Sequence, residues 1–162
     1  MLSQQSRELT NSYLFDITAV ESRKESGRSV RRWDALLTES VIGNYLVVPL
    51  VSSKMLRSEA FWMNNCVNGY QAICAAGDYA LFSIRTCSGE RLATLGMKKN
   101  ESSWFFDQCF GPENSKVLEE NIEYIDEDGI LQVESYPTDI YYIAQEVVRL
   151  QNNMEIFGVR LN

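Results

Sequence analysis

At 162 residues, with 45% hydrophobic and 23% charged side chains, the chain has the composition of a globular protein and the length of one domain. No window approaches the roughly 18 apolar residues of a membrane span. Met1-Leu2-Ser3-Gln4-Gln5 shows neither the basic nor the apolar region of a secretory signal, so no membrane association and a cytoplasmic location are expected.

The net charge of −7 is unevenly placed: residues 1–60 carry 8 Lys+Arg against 7 Asp+Glu, residues 61–111 carry 4 against 4, and residues 112–162 carry 3 against 11. Such a balance disfavours sequence-independent nucleic-acid binding, which needs cations to neutralise phosphates. The four cysteines, at 66, 74, 87 and 109, form no close pair, and the chain has no histidine. Zinc ligands usually come in close pairs, so no metal site and no cofactor are expected. Cys74 and Cys87 read as small buried hydrophobes.

In chain order, Leu9, Tyr13, Leu14, Ile17 and Val20 recur at helical spacing, predicting an amphipathic helix over 5–24 that Glu25-Ser26-Gly27 breaks. Arg23, Lys24, Arg28, Arg31 and Arg32 then form the one local basic cluster, beside Trp33. It reads as a solvated helix end or as a partner or phosphate contact. Ser29 to Leu37 reads as a second short helix.

Tyr45 to Val48 is a β-branched run stopped by Pro49. Ser52 or Ser53 caps a mostly apolar helix from Lys54 to Met63, and Asn64-Asn65 ends it. A second helix, 66–76, carries Cys66, Val67, Tyr70, Ile73 and Cys74 on one face and closes at Gly77. Strands follow at 79–87, 91–97 and 103–110, separated by Ser88-Gly89 and by Lys98 to Ser102.

The acidic segment Glu119 to Asp128, around Ile122, Tyr124 and Ile125, reads as a strand before the Asp128-Gly129 turn, with Ile130 to Val133 as its partner. Asp139 starts a helix through Asn152, and Ile156 to Leu161 reads as a last strand. The expected architecture is a single α+β domain in which helices pack one face of a three-stranded antiparallel meander. Residues 1–32 form a helical N-terminal extension, and 117–162 an acidic C-terminal part.

Pro49-Leu50, Ser53, Leu56, Glu59, Met63-Asn64-Asn65-Cys66-Val67 and Tyr70 form a spaced series. It continues through Phe82-Ser83-Ile84-Arg85, Gly89 to Leu95, Trp104, Gln108, Gly111-Pro112 and Asn114. Over about residues 33–116 this series resembles the PcfJ-like family. That resemblance implies a setting on conjugative plasmids, phages or other bacterial mobile elements, and no defined reaction. The family typically reads Met-x-His-Cys-Val, where this chain has Asn65 before Cys66.

A cysteine opening a helix would feel the positive end of its dipole, which favours the thiolate. Cys66 is therefore a candidate nucleophile of a cysteine-dependent hydrolase or transferase, with Arg85 and Gln108 as candidate anion stabilisers. The competing reading makes Cys66 a packed thiol and lets Arg85 and Gln108 satisfy one another. Without histidine, Asp107, Glu90 and Glu59 are left to orient a base and are too weakly basic to be one.

The reading favoured is a non-catalytic accessory protein that docks on a host or element-encoded protein complex. Its contact surface would be the acidic last third or the cluster of Arg23, Lys24, Arg28, Arg31, Arg32 and Trp33. Aromatics at Trp62, Trp104, Phe105, Phe106, Tyr141 and Tyr142 agree with a protein interface. The last alternative is weak nucleic-acid binding through Arg23–Arg32.

Overall fold

The computed structural model describes residues 30–160, so Arg23, Lys24, Arg28 and the predicted helix 5–24 lie outside the described residues. The fold is α+β. Five antiparallel strands lie in chain order: β1 (Ser40–Ile42), β2 (Tyr45–Pro49), β3 (Tyr79–Thr86), β4 (Arg91–Asn100) and β5 (Ser103–Phe110). The expected three-stranded meander is therefore its C-terminal part. β2 pairs with β3 from Tyr45↔Thr86 to Pro49↔Phe82, and β1 joins β2 through a turn that begins at Gly43, φ +59.

Helices cover both faces of this sheet, which corrects the expected one-sided packing. The reason lies in β3, whose successive residues are claimed alternately by the two sides. Phe82 and Ile84 pack with Leu95, Met97, Trp104 and Cys109 against Ile140, Ile143, Ala144 and Val147 of α3 (Asp139–Arg160). Tyr79 and Leu81 point the other way, into a cluster with Leu50, with Leu56 of α1 (Ser53–Met63), and with Val67 and Cys74. Covered on both sides, β3 has no solvent-facing side to betray its orientation.

Local chemistry sets the helix ends. Ser52 caps α1, accepting the Met55 N–H at 3.1 Å, while Ser53 Oγ accepts the Arg31 N–H at 3.0 Å. Asn64, φ +50, closes α1 in the left-handed region, and the Asn65 N–H reaches back to the Ala60 carbonyl. The predicted helix 66–76 is instead a 3-10 turn, Val67–Tyr70, followed by the five-residue α2 (Gln71–Ala75). Asn68 and Gly69 are poor helix formers, and the Asn65 side chain draws the Val67 N–H to itself at 3.2 Å. Gly77, φ +82, ends α2 as predicted, with the Asp78 N–H bonded to the Ile73 carbonyl.

Two other expectations are corrected. Residues 30–37 are not helical, because Arg31 and Trp33 exchange backbone hydrogen bonds with Ser53 and Val51 in an antiparallel bridge. The expected strand at 156–161 continues α3 as far as Arg160. Helix propagation is cheap once begun, and Glu155 is held by Lys99 Nζ at 2.7 Å.

The predicted acidic hairpin forms as β6 (Glu119–Ile125) and β7 (Leu131–Pro137), a two-stranded sheet separate from the other five. Its neck is pinned where the Thr138 N–H meets the Leu118 carbonyl at 2.9 Å.

Candidate functional site

A polar seam runs between α1 and the sheet. Glu59 is fully buried on the face of α1 that also buries Leu56 and Met63. A buried carboxylate needs charge and hydrogen-bond partners. Arg91 Nε donates to its Oε2 at 2.8 Å, Thr94 Oγ1 donates to Oε1 at 2.8 Å, and Arg85 lies 3.8 Å from Oε2. Arg91 also reaches Ser58 Oγ at 3.2 Å, and Arg85 Nε donates to Ser83 Oγ at 2.9 Å. Burial first, and then the neighbouring Arg91 charge, push the Arg85 guanidinium down from its ordinary pKa.

The seam continues through Asn65, whose Nδ2 donates to Thr94 Oγ1 at 3.4 Å. Two residues beyond Thr94 comes Gly96, where a Cβ would stand 2.3 Å from the Tyr79 hydroxyl. This space admits Tyr79, which donates to Asp107 Oδ2 at 2.7 Å and accepts from Gln108 Nε2 at 3.3 Å. Gln108 also donates to the Tyr70 hydroxyl at 3.1 Å, and the Tyr70 and Tyr79 rings lie 4.8 Å apart. Burial, then the bond to Asp107, hold the Tyr79 phenol well above its ordinary pKa. Each of these groups is turned inward onto another protein group, the arrangement expected of a structural network.

A cavity of about 280 Å³ adjoins the seam at Tyr79 and is lined also by Trp33, Leu50, Leu81, Trp104 and Gln151.

The hairpin is the opposite of the seam. Every residue of β6 and β7 is exposed except the half-buried Gln132. The register puts Ile125, Leu131 and Val133 on one side, 70%, 61% and 56% exposed, and Ile122, Tyr124 and Tyr136 on the other. Glu134 accepts hydrogen bonds from the hydroxyls of Tyr124 and Tyr136, which lower its pKa. Residues 119–137 carry seven carboxylates and no Lys or Arg. Two strands alone are at best marginally stable in water, and exposed apolar patches mark sites of association.

The family model described as PcfJ-like protein matches residues 13–126, more than half of the chain. The chain belongs to the PcfJ-like family. The match extends past both ends of the block legible in the motifs and takes in β6. No curated protein matches the chain. No solved structure matches it either.

In this PcfJ-like chain the candidate catalytic residues do not converge. Arg85 sits opposite Arg91 on β4 and Gln108 opposite Gly96, five residues and about 16 Å apart along the strand. They serve different parts of the seam rather than one another. Cys66 is half-buried against the Leu50–Leu56 cluster and precedes the 3-10 turn, so the expected α-helical first turn is not beneath it. Asn65, in the family's histidine position, spends its side chain on Thr94 and Val67.

Cys74 is buried as expected, with a thiol pushed up to about 12 by burial, whereas Cys87 is exposed on a turn, correcting its reading as a buried hydrophobe. Among the expected partner-binding residues, Arg31 and Arg32 are exposed, and Trp33 is half-buried with its indole N–H on the Leu50 carbonyl at 3.1 Å. Trp62, Phe105, Tyr141 and Tyr142 are exposed, Trp104 is buried and Phe106 is half-buried.

Glu59, read from the sequence as a residue to orient a base, is instead the buried anchor of the seam. Its signal was its place three residues after Leu56 and four before Met63, on the apolar stripe of its helix.

Proposed function

We propose that this chain is a non-catalytic, protein-binding accessory protein of a bacterial mobile element or phage. It docks through its acidic C-terminal third onto a basic surface of a host or element-encoded protein complex. The hairpin 119–137 carries this reading: it presents apolar side chains on both sides, two unpaired strand edges, and seven carboxylates. Carboxylates steer a cationic partner, and the apolar residues between them supply the burial that holds it. Tyr141 and Tyr142 stand exposed on the first turn of α3, next to the neck, and extend the same surface.

The test is a shortened chain in which a four-residue Gly/Asn turn joins Leu118 to Thr138. The neck bond already holds these ends together, so the variant should keep its circular dichroism and melting temperature. Affinity capture from the bacterial host should recover a specific protein with the full chain and lose it with the shortened one. Equal recovery by both would overturn the reading.

A further inference from the structure

We infer that the cavity beside Tyr79 binds a small planar aromatic heterocycle that carries an N–H donor and no negative charge. None of its lining residues belongs to the hairpin 119–137, so the site is separate from the docking surface. Its volume of about 280 Å³ is near the lower end of ligand pockets and far beyond the room of a single water. It suits a ligand of about one or two fused rings.

The floor is apolar and its walls are fixed. Leu50, Leu81 and Trp104 are buried, while Asp34 and Leu36 are exposed and mark the mouth. Trp33 is held by its backbone N–H on the Val51 carbonyl at 3.0 Å and by its indole N–H on the Leu50 carbonyl at 3.1 Å. Asn152 clasps Trp104, accepting its backbone N–H at 2.8 Å and donating to its carbonyl at 2.9 Å. The Trp104 indole N–H meets Glu155 Oε2 at 3.4 Å. Both indole donors are thus engaged within the protein. What the two rings offer a ligand is apolar aromatic surface, in place before binding.

One polar group of the wall is unanswered. Gln151 of α3 is 2% exposed and lines the cavity, and its amide oxygen has no hydrogen-bond partner. A buried acceptor left unpaired is costly and uncommon in a native fold. The terminal torsion of a glutamine is broad, so the amide can turn its oxygen toward a donor in the cavity. An N–H on the ligand's ring supplies that donor. The charged lining groups, Asp34 and Glu155 against Lys99, sum to one negative charge, and Lys99 Nζ is already on Glu155 Oε1 at 2.7 Å. Among the described lining residues no cation is left for an anionic ligand.

Two of the three tryptophans line the cavity, and the third, Trp62, lies away from it, 64% exposed. Heteronuclear NMR of the indole N–H groups in the full chain therefore reads the site with an internal control. Added indole should shift the Trp33 and Trp104 signals saturably, with a dissociation constant of about 1 mM or tighter, and leave Trp62 in place. Benzofuran, the same shape with oxygen instead of the N–H, should bind at least about tenfold more weakly. An indole carboxylate should also bind more weakly than indole. Gln151→Leu, which removes the unpaired acceptor at similar bulk, should bind indole and benzofuran equally.

Indole that leaves Trp33 and Trp104 unmoved, or that shifts all three tryptophans alike, would overturn the inference. So would benzofuran or the carboxylate binding as tightly as indole, or a preference for indole that survives in Gln151→Leu. Should that variant fold poorly, the wild type's choice between indole and benzofuran decides the matter by itself.

Discussion

The body and the hairpin treat carboxylates in opposite ways. In the body, Glu59 is sealed from water and answered by Arg91, Arg85 and Thr94, so its charge serves cohesion. In the hairpin, Glu123, Glu127 and Asp128 face solvent among exposed apolar residues and answer nothing in the described body. A charge already satisfied inside the fold cannot recruit a partner, and one left outside adds little to stability. The division places cohesion in residues on the sheet faces and leaves the hairpin's charges free of it, as the proposed docking role requires.

The largest effect should come from opening the seam. Glu59→Ala strands two half-buried guanidinium groups and should cost about 3–5 kcal/mol in urea unfolding. A cost under about 1 kcal/mol would mean that the seam is not cohesive, and the contrast with the hairpin would fail. Gly96→Ala should cost about 1–3 kcal/mol through overpacking on Tyr79. In a Tyr79→Phe background, which removes the oxygen that comes closest, that cost should fall; an unchanged cost would place the strain elsewhere.

Ser52→Ala removes the cap of α1 and should cost about 1 kcal/mol. An unchanged urea midpoint would mean that the cap is idle. Glu155 gives a pH signature. Its hydrogen bond from Lys99, ahead of the one from Trp104, holds its carboxyl below the ordinary glutamate range. A depressed carboxyl stabilises above its unfolded pKa, and that contribution is lost as pH falls through the lower folded value. Urea midpoints of wild type and Glu155→Gln should thus differ at pH 7 and converge toward pH 3; a constant gap would deny the linkage.

The smallest effect should come from Ile125→Ser, Leu131→Ser and Val133→Ser together, within about 0.5 kcal/mol on the body's stability. A loss above about 1 kcal/mol would show that the hairpin belongs to the core after all.

Much of this plan was legible in the sequence, for identifiable reasons. The strands 79–86, 91–100 and 103–110 are punctuated by Gly77, Ser88-Gly89 and Glu101-Ser102, and these turn signals survived whatever the packing. Sidedness did not survive, because Tyr79 to Ile84 serves two cores and the alternation that reports one solvated face is absent. β1 is three residues long and carried no periodic signal. Ile156 favoured a strand on propensity, and helix continuation with the Glu155 anchor overrode it.

The seam was half legible. Its motif residues stood out by their spacing, and their chemistry was misread because attention went to the thiol of Cys66 rather than to Glu59. The hairpin's acidity was plain in the charge count, whereas its isolation from the sheet is a fact of topology that no local pattern encodes.

The buried Glu59 also bears on the folding of the chain. Its partners Arg91 and Thr94 come 32 and 35 residues later in the chain. Until β4 is laid against β3, docking α1 would bury an uncompensated carboxylate, which is strongly unfavourable. The native place of α1 is therefore stabilised by the closing of β3 and β4, a non-local step whose loop entropy must be met. One acidic side chain thus ties the place of α1 on the sheet to the pairing of β3 with β4, linking residues more than thirty positions apart.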